Sequence, residues 1–402
     1  MRLLFVAPSV PYPSLTGSAM IAVNQIRQLA VRHTVDLISS KNRRNPTELG
    51  ELPRWCNEIE LIDRPPRWRV AANMLSGIVR DPHKGISWSR SAEMMKAVHR
   101  RLQNTEYDVV LFQTFLTAQF RPSWYWGPTV WCLEDPPTLK MQRMLPFHRW
   151  YERPVVRNSI VRSRRYEKRH ASRFDRVVLV NKEDCIDYQD LFPKMSLDCV
   201  PSGIDADAFR PSSTIPRRKG MIIITGNMYH LPNVDGIEYF CKEIFPLVCR
   251  RVPSATLWLV GAAPVSRVRK WTRDSRIKVT GFVPDIRPYL QEAMVSVCPV
   301  RLKIGTQTKV LEALACGTPV VTSSAGNHGI RGTSGKHLFV ADDPIIFADH
   351  IVTLLTNERW SDISHDGRRF VEDNFAWQKS VEKLEQILER LVMQPKLEFA
   401  LR

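Results

Sequence analysis

Short apolar segments alternate with longer amphipathic segments from one end of the chain to the other. In the first half, the apolar segments predict strands at 3–7, 35–39, 59–62, 109–112, 130–133 and 176–180. In the second half, they predict strands at 221–225, 256–260, 278–280, 295–299, 319–322 and 337–340. Helical spacing separates them, which is typical of parallel sheets covered by helices. We therefore expect an α/β protein with two doubly wound domains that face a central cleft, each binding its ligand beyond the carboxyl ends of the strands.

The length of the chain also favours two domains, because 402 residues exceed what one hydrophobic core usually contains. The alternating pattern breaks near 200–205, and the following segment 209–220 is rich in Pro, Ser and charge, as linkers often are. We expect a first domain over residues 1–204 and a second over 205–377. The helical spacing of 380–393 does not choose between them, so packing of 378–402 back onto the first domain stays an open alternative.

Basic residues outnumber acidic residues by 58 to 41, which gives a net charge of +17. Many of them lie in 140–176, where Trp150, Tyr151 and Tyr166 are interleaved, and a second basic and aromatic segment lies at 65–80. Such segments favour an anionic membrane surface, although a solvated helix face is the plain alternative. No zinc-finger or RNP-type motif accompanies them, so nucleic acid is not the expected partner.

The same sequence gives little sign of export or of membrane insertion. The opening apolar run is short and ends at Pro8, so it predicts a first strand better than a signal peptide. No apolar run reaches the roughly 18–20 residues that cross a bilayer. The eight cysteines show no CxxC spacing. We therefore expect a cytoplasmic protein, with peripheral binding to the inner face of the cell membrane as a further possibility.

The segment 298–321 carries the densest set of residues suited to chemistry. A strand ends near Pro299, and a loop with Gly305 and Thr306 leads to a helix that is predicted to have Thr308 as its N-cap and to end at Gly317. Backbone N–H groups at the start of such a helix favour an anion.

Two side chains of this helix strengthen that expectation. Lys309 lies in the first turn, and Glu312 follows three residues later on the same face. The Glu312 carboxylate can accept hydrogen bonds from the hydroxyls of a sugar or a ribose. An exposed Lys309–Glu312 pair without function is the alternative.

Together with 322–326, this segment resembles the donor-site signature of the retaining family-4 glycosyltransferases with the GT-B fold. Further matches lie along nearly the whole chain. They are the interdomain segment at 200–211, the loop after the first donor-domain strand at 225–235, the base-pocket strands at 259–261 and 280–285, and the acceptor-domain glycine loop at 11–18.

The resemblance implies transfer of a hexose-type sugar from a nucleotide diphosphate donor to an acceptor hydroxyl, with retention of the anomeric configuration and without a cofactor. The residues that it assigns to donor binding are Gly17, Ser18, Gly226, Asn227, Val283, Gly305, Thr306 and Glu312. Glu312 matches the second Glu of the family's E-x7-E motif, whereas Ile304 stands where the first Glu is usual. For Gly17 and Ser18, which would bring backbone N–H groups near the donor phosphate, a plain tight turn is the alternative.

Three residues are expected to be catalytic. The family often holds the pyrophosphate with an Arg and a Lys, but 230–233 contains neither, so Lys309 is the candidate replacement. Glu134 and Asp135 stand where the family commonly has His-Asp facing the reacting sugar. They either orient an acceptor hydroxyl or cap the segment that follows, and the sequence leaves both open.

The expected function is therefore a glycosyltransferase of surface polysaccharide or glycolipid synthesis, acting on a glycan or lipid-linked acceptor. No metal is expected, because the D-x-D-like 205–207 belongs to the interdomain segment. A nucleotide-sugar epimerase of the same fold is one alternative. A basic membrane-binding or nucleic-acid-binding protein without catalysis is the other.

Overall fold

The first strand is apolar along almost its whole length because it lies in the middle of a sheet that is covered on both faces. Leu3, Leu4, Phe5 and Val6 are all fully buried in this strand, as expected of a central parallel strand. The computed structural model describes residues 1–12, 17–42, 48–80, 84–303, 305–356 and 360–393. Its chain forms two units, one from Met1 to Ser202 with the helix that begins at Trp377, the other from Gly203 to Ala376.

The first unit is built on seven parallel strands in the order β3-β2-β1-β4-β5-β6-β7. The strands are β1 (Arg2–Ala7), β2 (Thr34–Ser40), β3 (Glu58–Ile62), β4 (Val109–Gln113), β5 (Thr129–Cys132), β6 (Arg176–Leu179) and β7 (Leu197–Cys199). The helices are α1 (Gly17–Leu29), α2 (Leu52–Trp55), α3 (Arg67–Arg80), α4 (Lys84–Ser89), α5 (Ala92–Asn104), α6 (Thr114–Thr117), α7 (Pro137–Met144), α8 (Arg153–Ala171) and α9 (Lys182–Leu191).

The second unit repeats this strand order with six parallel strands, β10-β9-β8-β11-β12-β13. The strands are β8 (Arg218–Thr225), β9 (Thr256–Val260), β10 (Ile277–Gly281), β11 (Ala293–Cys298), β12 (Val320–Thr322) and β13 (Phe339–Val340). The helices are α10 (Leu231–Tyr239), which continues through a π-helical turn (Phe240–Ile244) into α11 (Phe245–Arg251), then α12 (Ser266–Arg269), α13 (Arg287–Glu292), α14 (Thr308–Ala315), α15 (Pro344–Thr356) and α16 (Trp360–Phe375).

Alternate side chains of the central strands enter different cores. Leu3 and Phe5 of β1 pack with Leu384 and Leu388 of the last helix, α17 (Trp377–Met393), on one face of the first sheet. Leu4 and Val6 enter the core on the opposite face. Two further cores cover the two faces of the second sheet. Both sheets are therefore doubly wound, which confirms the fold class that the alternating pattern predicts.

The predicted linker 209–220 is wrong, because this segment is part of the second unit. Residues 218–220 open β8, and the Arg217 guanidinium donates to the carbonyl oxygens of Leu290, Ala293, Cys316 and Gly317 at 2.8–3.0 Å. The Pro and Ser content predicts a flexible connection, but Arg217 fastens the segment to four carbonyl groups. The chain passes between the units at Ser202–Gly203 and again at Ala376–Trp377.

The basic segment 140–176 divides into a packed part and an exposed part. Arg143 pairs with Asp184 at 2.6 Å, and the Tyr166 hydroxyl donates to the Phe115 carbonyl at 3.1 Å. Helix α8 presents several other cations to solvent. Its exposed cations are Arg157, Arg164, Arg165, Lys168 and Arg169, and the exposed apolar residues on it and just before it are Trp150, Tyr151, Val155 and Val161.

The second basic segment forms helix α3, which also leaves apolar side chains uncovered. Trp68 is 69% exposed and Leu75 is 73% exposed, one on each side of the buried Val70. Arg67 and Arg69 flank Trp68 and are exposed as well.

Candidate active site

The strand order reverses at the centre of each sheet. In the first unit β1 lies beside β4, and in the second unit β8 lies beside β11. Ligands of doubly wound sheets bind beyond the carboxyl ends of the strands at such switch points. Two places therefore matter, one in each unit.

Three glycines lie side by side where β8, β9 and β10 end. Gly226 donates its N–H to the Val260 carbonyl at 3.1 Å, and Gly261 donates to the Gly281 carbonyl at 3.2 Å. A Cβ atom on Gly261, whose φ is +150°, would lie only 2.0 Å from the Gly226 carbonyl oxygen. No other residue fits this approach of two backbones. The loop that starts at Gly226 is therefore held against its neighbour without a side chain between them.

Lys309 reaches this glycine loop from helix α14. A Cβ atom on Gly226 would lie 3.1 Å from the Lys309 Nζ and 3.1 Å from the Asn233 Nδ2. The Lys309 ammonium donates to the Asn233 Oδ1 at 2.5 Å, and the Asn233 Nδ2 donates to the backbone carbonyl of Asn227 at 2.8 Å. The Asn227 Oδ1 in turn accepts from the Tyr229 N–H at 2.9 Å. The structure thus brings Gly226, Asn227 and Lys309 together.

Asn233 is the residue of this cluster that sequence analysis does not single out. Its position in the first turn of α10, seven residues after Gly226, places its amide between the loop and Lys309. Nothing in the sequence marks it, because an asparagine near the start of a helix usually serves as a cap or in a turn.

The helix that carries Lys309 begins one residue differently from the prediction. Thr308 is the first helical residue and Gln307 is the N-cap, whose side chain makes no capping hydrogen bond. The first turn of α14 therefore lacks a side-chain acceptor from its N-cap, and an anion can supply one.

At the other end of α14, Gly317 has a φ of +65° and its N–H donates to the Leu314 carbonyl, while the Thr318 N–H donates to the Ala313 carbonyl. This pair of bonds closes the helix at the predicted glycine.

Lys309 and Glu312 of α14 shift each other's pKa. Burial lowers the pKa of Lys309, while the nearby Cys298 and Glu312 act in the opposite direction. Burial raises the pKa of Glu312 to about 7, and the charge of Lys309 offsets part of that rise. Lys309 is half-buried with an amide oxygen as its hydrogen-bond acceptor. A bound anion would stabilise its charged form further.

The loop before α14 adds a hydroxyl without a partner. Gly305 adopts a left-handed φ of +52°, and the buried Oγ1 of Thr306 has no hydrogen-bond partner within the described part of the chain. Ser323, in the loop after β12, donates to the Val300 carbonyl and accepts from the Gly326 N–H at 2.9 Å. Ile304, which stands at the first Glu position of the family motif, lies outside the described residues.

Val283 and Arg301 lie at the margin of this site. Val283 follows β10 and packs, half-buried, against the core cluster that contains Val260. The Arg301 guanidinium donates to both carboxylate oxygens of Asp235, at 2.9 and 2.5 Å, and lies over the Tyr239 ring. Arg301 is therefore held by a bidentate ion pair, whereas Lys309 is held by an amide.

The first unit has a cavity of about 300 Å³ at its own switch point. Its lining residues are Pro8, Ser9, Ser18, Thr114, Phe115, Leu116, Glu134, Asp135, Pro137, Lys140 and Met141. Ser18, Glu134 and Asp135 of the predicted site thus meet here. Gly17 and Ser18 form the start of helix α1 and are exposed, and a Cβ atom on Gly17 would meet nothing within 4 Å.

Glu134 is the buried acid of this cavity. It is 5% exposed, and its Oε1 has no hydrogen-bond partner among the residues that the structure describes. Burial raises the pKa of Glu134 to about 8; a hydrogen bond with Ser18 lowers it in part, and the charge of Asp135 raises it. Asp135 pairs with Lys140 at 3.4 Å. Helix α7 has Pro136 as its N-cap and no side-chain capping bond, so the capping role that the sequence leaves open is not found for these two acids.

Thr114 gives this cavity a strained wall. Its φ is +64°, which is costly for a β-branched residue. Its carbonyl accepts from the Trp131 Nε1 at 2.8 Å, and its Oγ1 accepts from the Leu116 N–H at 3.2 Å. These bonds hold the strained turn at the end of β4. A threonine gives no sequence signal for such a conformation, so sequence analysis does not find it.

The described ranges contain neither a cluster of metal ligands nor a membrane-spanning helix. No three side chains of His, Cys, Asp or Glu in that part of the chain come together as possible metal ligands. Among the helices described above, none combines the length and apolar character that a bilayer span requires.

Comparison with protein families gives a match over the second unit. Residues 219–357 match the family model described as Glycosyl transferases group 1. Among curated proteins, the chain is 20% identical over 392 residues to an uncharacterised 44.6 kDa protein in the cps region of Klebsiella pneumoniae, covering 94% of this chain and 97% of the relative.

Solved structures resemble the whole chain. Sucrose-phosphate synthase from Thermosynechococcus elongatus has a TM-score of 0.70 at 19% identity, covering 97% of this chain and 99% of its own. The HepE protein of Anabaena in complex with UDP and glucose has a TM-score of 0.66 at 14% identity, covering 97% and 100%. The TarM protein of S. aureus, in a complex that contains α-GlcNAc-glycerol and UDP, has a TM-score of 0.68 at 9% identity, covering 96% and 100%. The chain has the GT-B fold, and residues 219–357 of its second unit match the glycosyl transferases group 1 model.

Proposed function

We propose that this chain is a retaining glycosyltransferase that moves a hexose-type sugar from a nucleotide diphosphate donor to a glycan or lipid-linked acceptor. The observation that carries the proposal is the Lys309 ammonium, held by Asn233 against Gly226 at the first turn of α14. A cation and uncapped helix N–H groups at one switch point suit a diphosphate. Two structural neighbours support this donor class, because HepE was solved with UDP-glucose and TarM with UDP.

Positive charge that is in place before the reaction favours departure of the diphosphate. Lys309 binds the donor phosphates and stabilises the negative charge that develops as the bond to the sugar breaks. The Glu312 carboxylate accepts hydrogen bonds from the ribose hydroxyls of the donor. In a retaining reaction, the acceptor hydroxyl attacks from the face that the diphosphate leaves, and its proton passes to the leaving phosphate.

The cavity of the first unit is assigned to the acceptor. Glu134 is buried with one carboxyl oxygen unpaired, and Asp135 lies beside it on the cavity wall. A hydroxyl that enters this cavity can hydrogen-bond to the free Glu134 oxygen, which stabilises both groups. We assign Glu134 and Asp135 to orientation of the acceptor hydroxyl.

We also propose that the transfer needs no metal ion, because Lys309 and the α14 N–H groups supply the positive charge that a leaving diphosphate requires. Turnover in excess EDTA should equal turnover in buffer. Loss of turnover in EDTA that magnesium or manganese restores would contradict this part of the proposal.

A surface-polysaccharide or glycolipid pathway is the proposed setting. The relative in the cps region of Klebsiella pneumoniae supports it, since the two chains match over almost their full lengths.

The test is a thermal-shift screen of the intact chain against UDP-, GDP-, ADP- and dTDP-sugars. A donor that binds the folded protein at one hundred times its Kd stabilises it by about 2.7 kcal/mol. We expect one nucleotide class to raise the melting temperature, followed by sugar transfer when an acceptor fraction is added. Conversion of the donor in the absence of any acceptor would indicate the epimerase instead, and no shift with any donor would contradict the proposal.

We further propose that helix α8 brings the protein to an anionic membrane on the cytoplasmic side, where a lipid-linked acceptor would lie. The support is its exposed face, on which five cations lie beside Val155, Val161 and the preceding Trp150. Each Lys or Arg near an anionic surface contributes about 1 kcal/mol. The exposed Trp68 and Leu75 of α3 give a second apolar contact of the same kind.

Flotation with vesicles tests the membrane proposal. The protein should float with vesicles that contain phosphatidylglycerol, and the triple variant R157Q/R164Q/R165Q should float less. The matched control is R250Q/R251Q, which removes charge from the other unit. Protein that stays at the bottom in physiological salt would contradict membrane binding. Preferential binding to duplex DNA would indicate that the basic surface binds nucleic acid instead.

A further inference from the structure

Two of the eight cysteines touch each other. Cys185 lies on α9 and Cys199 ends the edge strand β7, and their thiols are in hydrogen-bonding contact. The Cys185 Sγ also donates to the carbonyl of Asp198 at 3.7 Å. Both cysteines are partly exposed, whereas Cys56, Cys132, Cys241, Cys249, Cys298 and Cys316 are buried.

The surroundings of the pair make its two sulfurs unequal. The hydrogen bond from Cys185 lowers the pKa of Cys199, and the nearby Lys383 and Lys182 lower it further against burial and the charge of Glu183. The same hydrogen bond raises the pKa of Cys185, as do burial and the charges of Asp184 and Asp198. Both shifts favour the thiolate form of Cys199 over that of Cys185, and the thiolate is the form that reacts.

The buried cysteines lack this activation. Burial raises the pKa of Cys56, Cys241 and Cys316 to about 12. These thiols keep their protons at neutral pH and are inaccessible to an oxidant. The contrast makes the pair on α9 and β7 chemically distinct within one chain.

We propose that Cys185 and Cys199 are a redox modification site that closes to a reversible disulfide, with Cys199 reacting first. The reaction needs an oxidant of the disulfide class, such as oxidised glutathione. The Cys199 thiolate attacks one glutathione sulfur, and the other glutathione leaves as a thiolate. The Cys185 thiol then loses its proton and attacks the Cys199 sulfur of the mixed disulfide, which releases the second glutathione thiolate. Two electrons pass from the protein sulfurs to the oxidant, and the two released thiolates take up the two thiol protons.

Closure of this bond would fasten α9 to the edge of the first sheet. The bond encloses residues 186–198, and Cys199 lies three residues before Ser202, where the chain leaves the first unit. This inference is independent of the donor site, because no residue of the pair touches Lys309, Glu312 or the Glu134 cavity in the contacts described above.

The test is equilibration of the intact chain in buffers of reduced and oxidised glutathione, followed by alkylation under native conditions and peptide mass analysis. We expect the Cys185 peptide joined to the Cys199 peptide, while the six buried cysteines stay reduced. Return to reducing buffer should separate the two peptides again. Free alkylation of both Cys185 and Cys199 after oxidation would overturn the proposal.

Serine variants test the order of attack. C185S should accumulate glutathione on Cys199, since the second step is blocked, and C199S should accumulate far less on Cys185. The reverse pattern would overturn the assignment of Cys199 as the first thiol.

A charge variant tests the cause of the activation. K383Q should slow glutathione exchange at Cys199 by about two- to fivefold, as expected for loss of one exposed charge. K379Q, on the same helix, is the matched control and should react at the rate of the unchanged protein. Equal rates in K383Q, K379Q and the unchanged protein would contradict the role of Lys383.

Discussion

At the scale of the residue, the proposed donor site depends on the hydrogen-bond partner of the Lys309 ammonium. A carboxylate partner offsets the charge of a basic side chain, and Asp235 is such a partner for Arg301. Lys309 instead donates to an amide oxygen. The amide fixes the direction of the side chain without adding a negative charge, so the ammonium can still bind an arriving anion.

The first prediction concerns Lys309 itself. Lys309→Ala should lower kcat by about 10²–10³, the usual cost of removing one preorganised donor to a developing negative charge. Lys303→Ala is the control, because Lys303 is exposed in the preceding loop. Steady-state rates with the identified donor and acceptor check this. Equal losses in the two variants would undo the assignment.

The second prediction concerns Asn233 as a positioning residue. Asn233→Ala removes the acceptor of the Lys309 ammonium and should lower kcat/KM by about 10–100-fold, the range for a hydrogen bond to a charged group. Without that bond the pKa of Lys309 falls further, so the alkaline limb of the kcat/KM profile should move to lower pH.

The control for this experiment is Asn374→Ala on the exposed face of α16. It should keep both the rate and the pH profile. A uniform loss in Asn233→Ala with an unmoved alkaline limb would show that Asn233 is only structural.

The third prediction concerns the pH dependence of stability that comes from Glu134. Its folded pKa is about 8, above the ordinary value of 4.5. The folded state therefore holds this proton between these values while the unfolded state releases it. The contribution of Glu134 to the free energy of unfolding therefore falls as pH rises across this window and levels off above it, each pKa unit being worth about 1.4 kcal/mol.

Glu134→Gln removes this titration and keeps the shape of the side chain. The melting temperature of Glu134→Gln relative to the unchanged protein should therefore rise between about pH 5 and pH 8. Calorimetric scans over this range measure the difference. A difference that does not vary with pH would contradict the raised pKa of Glu134.

At the scale of the element, the carboxyl ends of β8, β9 and β10 depend on glycines for two different reasons. Gly261 leaves room for the backbone of Gly226, whereas a Cβ atom on Gly281 would meet nothing within 4 Å, so this glycine is needed only for its φ of +73°. A substitution at Gly261 therefore tests a steric clash, whereas a substitution at Gly281 tests backbone strain alone.

The fourth prediction uses that difference. Gly261→Ala should lower the free energy of unfolding by about 3 kcal/mol or more, because the backbone oxygen of Gly226 cannot move aside without breaking strand contacts. Gly281→Ala should cost about 1–2 kcal/mol, the ordinary cost of a left-handed residue. Urea unfolding of both variants checks the order. A larger loss in Gly281→Ala would contradict it.

The elements that the sequence predicts are those with strong apolar periodicity. All twelve predicted strands are present. The central strands β1 and β4 are almost completely buried, whereas β3, β10 and β13 at the sheet edges are mostly only partly buried. The pattern does not predict strand β7, since it is three residues long, only half-buried and carries Asp198 at its centre. The predicted N-cap of α14 is wrong by one residue: Thr308 is a favoured capping type but is the first helical residue, and Gln307 takes the N-cap position without a side-chain capping bond.

The site is predictable only where it depends on local pattern. A glycine loop, a lysine in a first turn and an acid one turn later are visible in the sequence as Gly226, Lys309 and Glu312. The bond from Asn233 to Lys309 joins residues 76 positions apart, and the left-handed Thr114 depends on contacts with Trp131. Such features come from tertiary packing, and single-sequence patterns do not contain them.

At the scale of the whole molecule, the same strand order appears twice with opposite chemistry at the two switch points. The second unit presents a cation and helix N–H groups at the end of β8. The first unit presents the buried Glu134 and the partly exposed Asp135, which follow β5 and line the cavity at the ends of β1 and β4. This division matches an anionic donor in one unit and an acceptor hydroxyl in the other, as we propose.

The proposal that Lys309 and the start of α14 bind the donor diphosphate is tested most directly by a crystal structure. The crystals would be grown with the nucleoside diphosphate that stabilises the protein most. We expect phosphate oxygens within about 2.7–3.2 Å of the Lys309 Nζ and of the first-turn N–H groups of α14. A bound nucleotide whose phosphates lie elsewhere, with Lys309 still donating only to Asn233, would contradict it.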